Sequence, residues 1–156
     1  MKRLISIILL LTLISGCLTA LSEETWVFIL CNPKTPVNIR KSPKNGGEKI
    51  GRLDFGDSVK TDGKKKNGFL HVVDITEEGQ GWIFAGYVVK DQPVKCEKTR
   101  ANIAATGRVM SYRWIGGRKN CWLHICDEVQ VLAMSEEWAV TNKGYIRTKY
   151  LEVWYE

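Results

Sequence analysis

Beyond about residue 20, the chain alternates between short apolar runs and residues that favour tight turns. The runs are rich in β-branched and aromatic side chains, and Gly, Asn and Asp bound them. Their apolar members include Val59, Phe69, Val72, Ile75, Ile83 and Val89. Apolar positions do not repeat at helical spacing over three turns, which leaves at most single helical turns at residues 85–87 and 148–150. The pattern therefore predicts an all-β fold.

Three phrases occur in the same order in both halves of the chain. Residues 81–88 and 144–151 share a Gly-aromatic-Ile motif followed by a Tyr and an apolar residue. The other pairs are 56–60 with 126–130, and 37–53 with 109–123. These repeats predict two tandem units, at 25–92 and 97–156, and the segment 89–98, with Asp91-Gln92-Pro93, is the predicted linker. Units this small bury a modest core, so closed barrels that hide strand edges are the expected architecture.

The first unit carries a recognisable series of motifs. V-N-I-R at 37–40 is followed by I-G-R-L at 50–53, G-D-S-V at 56–59 and G-W-I-x-x-x-Y-V at 81–88. This series resembles the bacterial SH3-like (SH3b) domain. The second unit resembles a divergent copy, with Val109 to Arg113 in place of the V-N-I-R opening and Tyr145 in place of Trp82. The resemblance implies two tandem SH3-like β-barrels of a family in which some members bind peptidoglycan peptides and others are structural adaptors.

The first residues have the order of a secretory signal. Lys2 and Arg3 precede an apolar run, Leu4–Leu13, which is too short for a bilayer-spanning helix of roughly 20 residues. The run ends in I-S-G-C, which resembles the lipobox of bacterial lipoproteins. This resemblance implies that residues 1–16 are removed as a signal peptide and that Cys17 carries a lipid, giving an extracytoplasmic, membrane-anchored protein. The alternative is a secreted protein, cut for instance after Ala20.

Composition narrows the classes of function. The chain has 156 residues and a formal net charge of +6, which falls to +4 once residues 1–16 are removed. This charge admits anionic partners, but no nucleic-acid recognition motif is present. The two barrels leave no room for a catalytic domain, so we expect no enzyme activity and no cofactor. His71 and His124 are the only histidines, and the run Cys121-x-x-His124-x-Cys126 has poor spacing for zinc, so we expect no metal site.

The cysteines allow a disulfide framework. With Cys17 acylated, four thiols remain, and an even number in an exported chain permits two disulfides. Cys31 with Cys96 would link the ends of the first barrel, and Cys121 with Cys126 would close a hairpin. The alternative is that all four are small apolar residues with free thiols.

Aromatic residues are the main candidates for ligand binding. Trp114, Trp122, Trp138 and Trp154 gather in the second unit, either as an exposed recognition face or as core plus a contact between the barrels. The candidate ligand-binding residues are Trp114, Trp138, Tyr87, Tyr150, Lys64, Lys65 and Lys66, the three lysines being interpreted as a solvated hairpin tip.

We expect a binding module for cell-wall peptide or another envelope component. The alternative is an adaptor whose barrels pack together and present a surface to an envelope protein. The sequence does not indicate an oligomeric state.

Overall fold

The computed structural model describes residues 24–74 and 79–155. These residues form fourteen strands and no α-helix. The first seven strands are β1 (Thr25–Ile29), β2 (Val37–Arg40), β3 (Lys49–Leu53), β4 (Ser58–Lys66), β5 (Phe69–Val73), β6 (Gln80–Phe84) and β7 (Val88–Val89). The other seven are β8 (Val94–Ile103), β9 (Val109–Tyr112), β10 (Lys119–Leu123), β11 (Glu128–Met134), β12 (Trp138–Thr141), β13 (Gly144–Arg147) and β14 (Leu151–Tyr155). The prediction of an all-β fold is confirmed.

The two sets of seven strands form two antiparallel sheets with one topology. The first sheet has the order β3-β2-β6-β5-β4-β1-β7, and the second has the order β10-β9-β13-β12-β11-β8-β14. The strands of the second sheet therefore occupy the same positions, in the same order, as those of the first. β8 corresponds to β1, and the numbering continues in step to β14, which corresponds to β7. Two such sheets are consistent with two small SH3-like barrels.

Details of the chain path also recur. One turn of 3-10 helix lies at Ala85–Tyr87 and another at Thr148–Tyr150, at the two places where the sequence allowed a helical turn. The linker is shorter than expected, because β8 already begins at Val94. Residues 90–93 alone separate the two sheets.

A shared turn explains why an Asp recurs in the repeated phrases. The carboxylate of Asp57 accepts a hydrogen bond from the backbone N–H of residue 54 at 2.7 Å, and Asp127 accepts one from residue 124 at 2.7 Å. Gly56 precedes the first Asp with φ of 84°, and Cys126 precedes the second with φ of 65°. Both residues occupy the left-handed region, where glycine is strain-free and other residues are uncommon.

Each sheet encloses its own apolar core, and a third buried cluster joins the two barrels. Leu30 and Val89 of the first barrel lie in this cluster with Val140 and Tyr145 of the second. The Tyr145 hydroxyl donates a hydrogen bond to the backbone carbonyl of Leu30 at 3.0 Å. Because these side chains are almost fully excluded from solvent, the barrels pack as one body through an apolar joint.

Residues 1–23, 75–78 and 156 lie outside the described part of the chain. The signal peptide, Cys17, Ala20 and Ile75 all fall there, so the predictions about them stay predictions. Among the described residues, no helix is long and apolar enough to cross a bilayer.

Candidate functional site

Each barrel carries a groove beside its 3-10 turn, and the two grooves are built from equivalent positions. In the first barrel, Phe69 of β5 pairs with Phe84 of β6, and Tyr87 follows on the 3-10 turn. In the second barrel, Trp138 of β12 pairs with Arg147 of β13. Tyr150 follows at the end of the second 3-10 turn. We call these the first groove and the second groove.

Trp114, from the loop after β9, forms part of the wall of the first groove. Its indole packs edge-to-face on Phe84, with ring centroids 5.4 Å apart. The next residue, Ile115, donates its backbone N–H to the Gly86 carbonyl at 3.0 Å. A side chain at Gly86 would bring a Cβ within 2.6 Å of the Trp114 ring, so this close approach requires glycine. The second barrel therefore docks a loop onto the first groove.

The second groove is larger and open. Its volume is about 790 Å³, compared with about 440 Å³ for the first groove. Trp122 of β10 is 51% exposed at its wall, whereas Trp138 is almost fully buried beneath it. Tyr112 packs edge-to-face on Trp138 at 5.8 Å, which holds the floor of the groove in place.

Three cationic side chains lie on the aromatic walls of the second groove. The Arg147 guanidinium stands 4.4 Å from the centre of the Trp138 ring. Arg108 stands 5.0 Å from the ring of Trp122. The Lys149 ammonium stands 5.0 Å from the ring of Tyr150. Such cation–π contacts hold long side chains in place while their polar groups stay in water.

The structure divides the predicted ligand-binding residues among three places. Trp138 and Tyr150 line the second groove, and Tyr87 and Trp114 line the first. Lys64, Lys65 and Lys66 are exposed on the β4–β5 hairpin, where Lys64 pairs with Asp62 at 2.8 Å, and they line neither groove.

The residues predicted from the sequence do not include the cations of the second groove, Arg108, Arg147 and Lys149. Arg147 and Lys149 stand where the repeated phrase has Phe84 and Gly86 in the first unit. A comparison of the two copies at these positions would have revealed the change from apolar to basic.

Each of the two histidines lies beside an Asp and outside both grooves. His71 is buried, and its Nδ1 lies 3.0 Å from Oδ2 of Asp62, while its ring packs on Trp82 with centroids 4.8 Å apart. Burial disfavours a charged Asp62, but hydrogen bonds from Lys64 and His71 outweigh it and lower the pKa of Asp62 from 3.8 to about 2. His124 is exposed and lies 3.8 Å from Asp127.

The four described cysteines are free thiols, so the structure forms neither of the disulfides considered, and these stay predictions. Cys31 is buried in the first core, and burial, with the charges of Asp54 and Asp57, raises its pKa to about 11. A thiol with such a pKa stays protonated and is a poor nucleophile. Cys96 packs against the second core, and Cys121 lies 3.1 Å from the Ser111 hydroxyl. Within residues 24–74 and 79–155, no group of three His, Cys, Asp or Glu residues is placed to hold a metal ion.

The strands and groove of the first barrel lie almost entirely within one stretch of chain. Residues 35–89 match the family model described as the bacterial SH3 domain. The matched bacterial SH3 segment runs from just before β2 to the end of β7. The resemblance inferred from the motifs at 37–88 is confirmed for this segment, and the second groove lies outside it.

Two solved structures have low sequence identity and low structural similarity to the chain. NlpC2 from Trichomonas vaginalis is 18% identical with a TM-score of 0.37, over 84% of this chain and 48% of that protein. NlpC1 from the same organism is 20% identical with a TM-score of 0.37, over 86% of this chain and 47% of that protein. The chain thus spans about half the length of these proteins, and at this TM-score the likeness carries no argument. No curated protein sequence matches the chain.

Proposed function

We propose that the protein is a non-catalytic binding module of the cell envelope, and that its second groove holds a cell-wall peptide. The observation that carries this proposal is the open groove with Trp122 on its wall and Trp138 on its floor. Aromatic side chains dominate the energetics of recognition sites because they bury a large area with few rotatable bonds. The bacterial SH3 match at 35–89 supports a module of this kind.

Two exposed tryptophans provide a matched test of the site. Trp122 lines the second groove under Arg108, and Trp26 lies on β1 of the first barrel with Lys60 at 5.5 Å from its ring. They are 51% and 55% exposed, so replacing either with Ala should change stability little. In a sedimentation assay with purified peptidoglycan, Trp122→Ala should weaken binding by roughly 30-fold, the equivalent of about 2 kcal/mol at a hot spot. Trp26→Ala should bind like the wild type, and equal losses in the two variants would contradict the assignment of the groove.

The adaptor function is the second candidate, and the apolar joint favours it. A buried cluster that fixes the two barrels relative to each other creates one continuous surface for a partner protein. The adaptor function predicts that peptidoglycan does not retain the protein. It also predicts that an envelope protein copurifies with the wild type and is lost from Trp122→Ala.

We also propose that Cys17 carries a lipid that anchors the protein outside the cytoplasm. The I-S-G-C motif after a short apolar run supports this address. Several acyl chains on one residue would hold the protein on the membrane more firmly than one. Cys17→Ala should move the protein from the membrane fraction to the soluble exported fraction. An unchanged membrane fraction would contradict acylation at this residue.

The absence of catalysis is part of the proposal and has its own test. The buried Cys31 thiol with its raised pKa and the Asp62-bound His71 support it. Prolonged incubation with peptidoglycan should release no soluble fragments. Release that depends on either residue would overturn this part of the proposal.

A further inference from the structure

The second groove differs from the first most strongly in charge. Among the described residues, its lining includes Arg108, Arg147 and Lys149 and no Asp or Glu. The carboxylate of Glu137 lies outside the lining and pairs with Arg147 at 2.9 Å, so it offsets one of the three charges. In the part of the chain that the structure describes, the lining of the first groove has one cation, Arg40, whose guanidinium donates to the Gly47 carbonyl at 2.7 Å.

The change in charge follows from two positions of the repeat. In the first groove, Phe84 presents an apolar ring and Gly86 has no side chain, which lets Trp114 pack closely on both. Their counterparts Arg147 and Lys149 bring long charged side chains to the same two places. Docking of a similar apolar loop there would bury both charges at a large cost. An anionic ligand would instead be attracted.

The aromatic rings also position the cations. A guanidinium that stacks on a ring keeps its N–H groups in the plane, where they donate to both oxygens of a carboxylate. The guanidinium carbons of Arg147 and Arg108 lie over the rings of Trp138 and Trp122, 4.4 and 5.0 Å from the ring centres. These contacts reduce the conformational entropy that each long side chain would lose on binding.

We propose that the second groove recognises free carboxylates of a peptide, with the peptide chain on the aromatic walls and the carboxylates on Arg108, Arg147 and Lys149. This inference rests on the proposed function and specifies the ligand chemistry of the same site. A neutral peptide of the same shape binds more weakly.

The test compares two preparations of one wall material. In the first, purified peptidoglycan keeps its carboxylates, and in the second a carbodiimide coupling has converted them to amides. The groove variant carries Arg108→Gln, Arg147→Gln and Lys149→Gln. A matched control, Lys64→Gln with Lys65→Gln and Lys66→Gln, removes the same charge from the exposed hairpin.

At physiological salt, amidation should reduce retention of the wild type by about tenfold or more, the scale of one strong charge-assisted contact. The groove variant should bind both materials equally weakly, and the hairpin variant should behave like the wild type. Equal retention of the wild type on both materials overturns the inference. Equal losses in the groove and hairpin variants also overturn it, because unspecific attraction would then explain the binding.

A soluble probe separates failure of this inference from failure of the proposed function. The tripeptide Ala-Glu-Ala and its fully amidated form are titrated into the wild type, while the indole N–H signals are followed by NMR. The free acid should shift the Trp122 signal, and the amide should not. If neither wall material retains the protein, the proposed function fails and the titration alone decides on carboxylate recognition. No shift with the free acid, or equal shifts with both, overturns it.

Discussion

The hydrogen bond from Tyr145 to the Leu30 carbonyl connects the two barrels, so its removal tests how far the stability of the chain depends on the joint. Tyr145 is 5% exposed, and Tyr145→Phe removes only the hydroxyl, so the ring and its packing remain. Because the variant leaves the buried Leu30 carbonyl without its donor, the loss should be about 1–3 kcal/mol. At about 2.1 cal/mol/K per residue over the described chain, the melting temperature should fall by roughly 4–11 °C.

The matched control for this variant is Tyr87→Phe. Tyr87 lies in the same joint, with its ring centroid 6.2 Å from that of Tyr145, and its hydroxyl makes no hydrogen bond within the described residues. Urea unfolding of the full chain should show one transition for the wild type and both variants, with the midpoint lowered only for Tyr145→Phe. Equal midpoints for Tyr145→Phe and the wild type, or an equal loss in Tyr87→Phe, would show that the Tyr145 hydroxyl does not stabilise the joint.

The same hydroxyl makes a prediction for alkaline pH. Burial, followed by the nearby Tyr87 and Cys31, raises the pKa of Tyr145 well above its ordinary value of 10. The folded state therefore keeps a proton that the unfolded state loses, and this contribution to stability is complete below pH 10 and declines above it. Stability above pH 10 should fall less steeply in Tyr145→Phe than in the wild type, and parallel curves would contradict the role of the hydroxyl.

Three other predictions concern the first barrel and the joint. Trp114→Ala should lower the free energy of unfolding in urea by about 2–3 kcal/mol. This is less than the roughly 3–5 kcal/mol expected for a fully buried Trp, because the Trp114 side chain is half-buried. An unchanged free energy of unfolding would show that the loop does not dock. Gly86→Ala should destabilise the chain, because its Cβ meets the Trp114 ring. Gly107→Ala, in open space, should change stability by no more than about 1 kcal/mol, and equal effects would rule out the clash. The depressed pKa of Asp62 stabilises the folded state above about pH 4, and this stabilisation is lost as the pH falls towards 2. Asp62→Asn should therefore remove this part of the pH dependence, and an unchanged acid denaturation curve would contradict the role of Asp62.

The fold could largely be predicted from local patterns. Turn residues and β-rich runs mark the strands, and the repeated phrases at 81–88 and 144–151 coincide with β6, β13 and the two 3-10 turns. The linker predicted at 89–98 rests on Asp91-Gln92-Pro93, and its second half overlaps another element. Residues 94–98 belong to the long strand β8, which pairs with β11 and β14.

The site was harder to predict, because it depends on how the barrels pack. The sequence left open whether the tryptophans form an exposed recognition face or a core with a contact between the barrels. Trp114 contacts the first barrel, while Trp122 is exposed in the open groove. No pattern along the chain distinguishes these two fates, since each Trp lies near a turn or at the end of a strand. Only the docking of the loop on Gly86 separates them.

The docked loop has a consequence for how the two repeats change over evolutionary time. Phe84, Gly86 and Trp114 form one contact, so a substitution at one restricts what the others accept. Arg147 and Lys149 instead contact Glu137, Trp138 and Tyr150 of their own barrel, so they take no part in that contact. In related sequences with both barrels, the residues at positions 84, 86 and 114 should covary. The residues at positions 147 and 149 should vary with the ligand of each relative. The two grooves therefore differ in what limits change at their walls: the first is bound to the packing between the barrels, whereas residues 147 and 149 take no part in that packing contact.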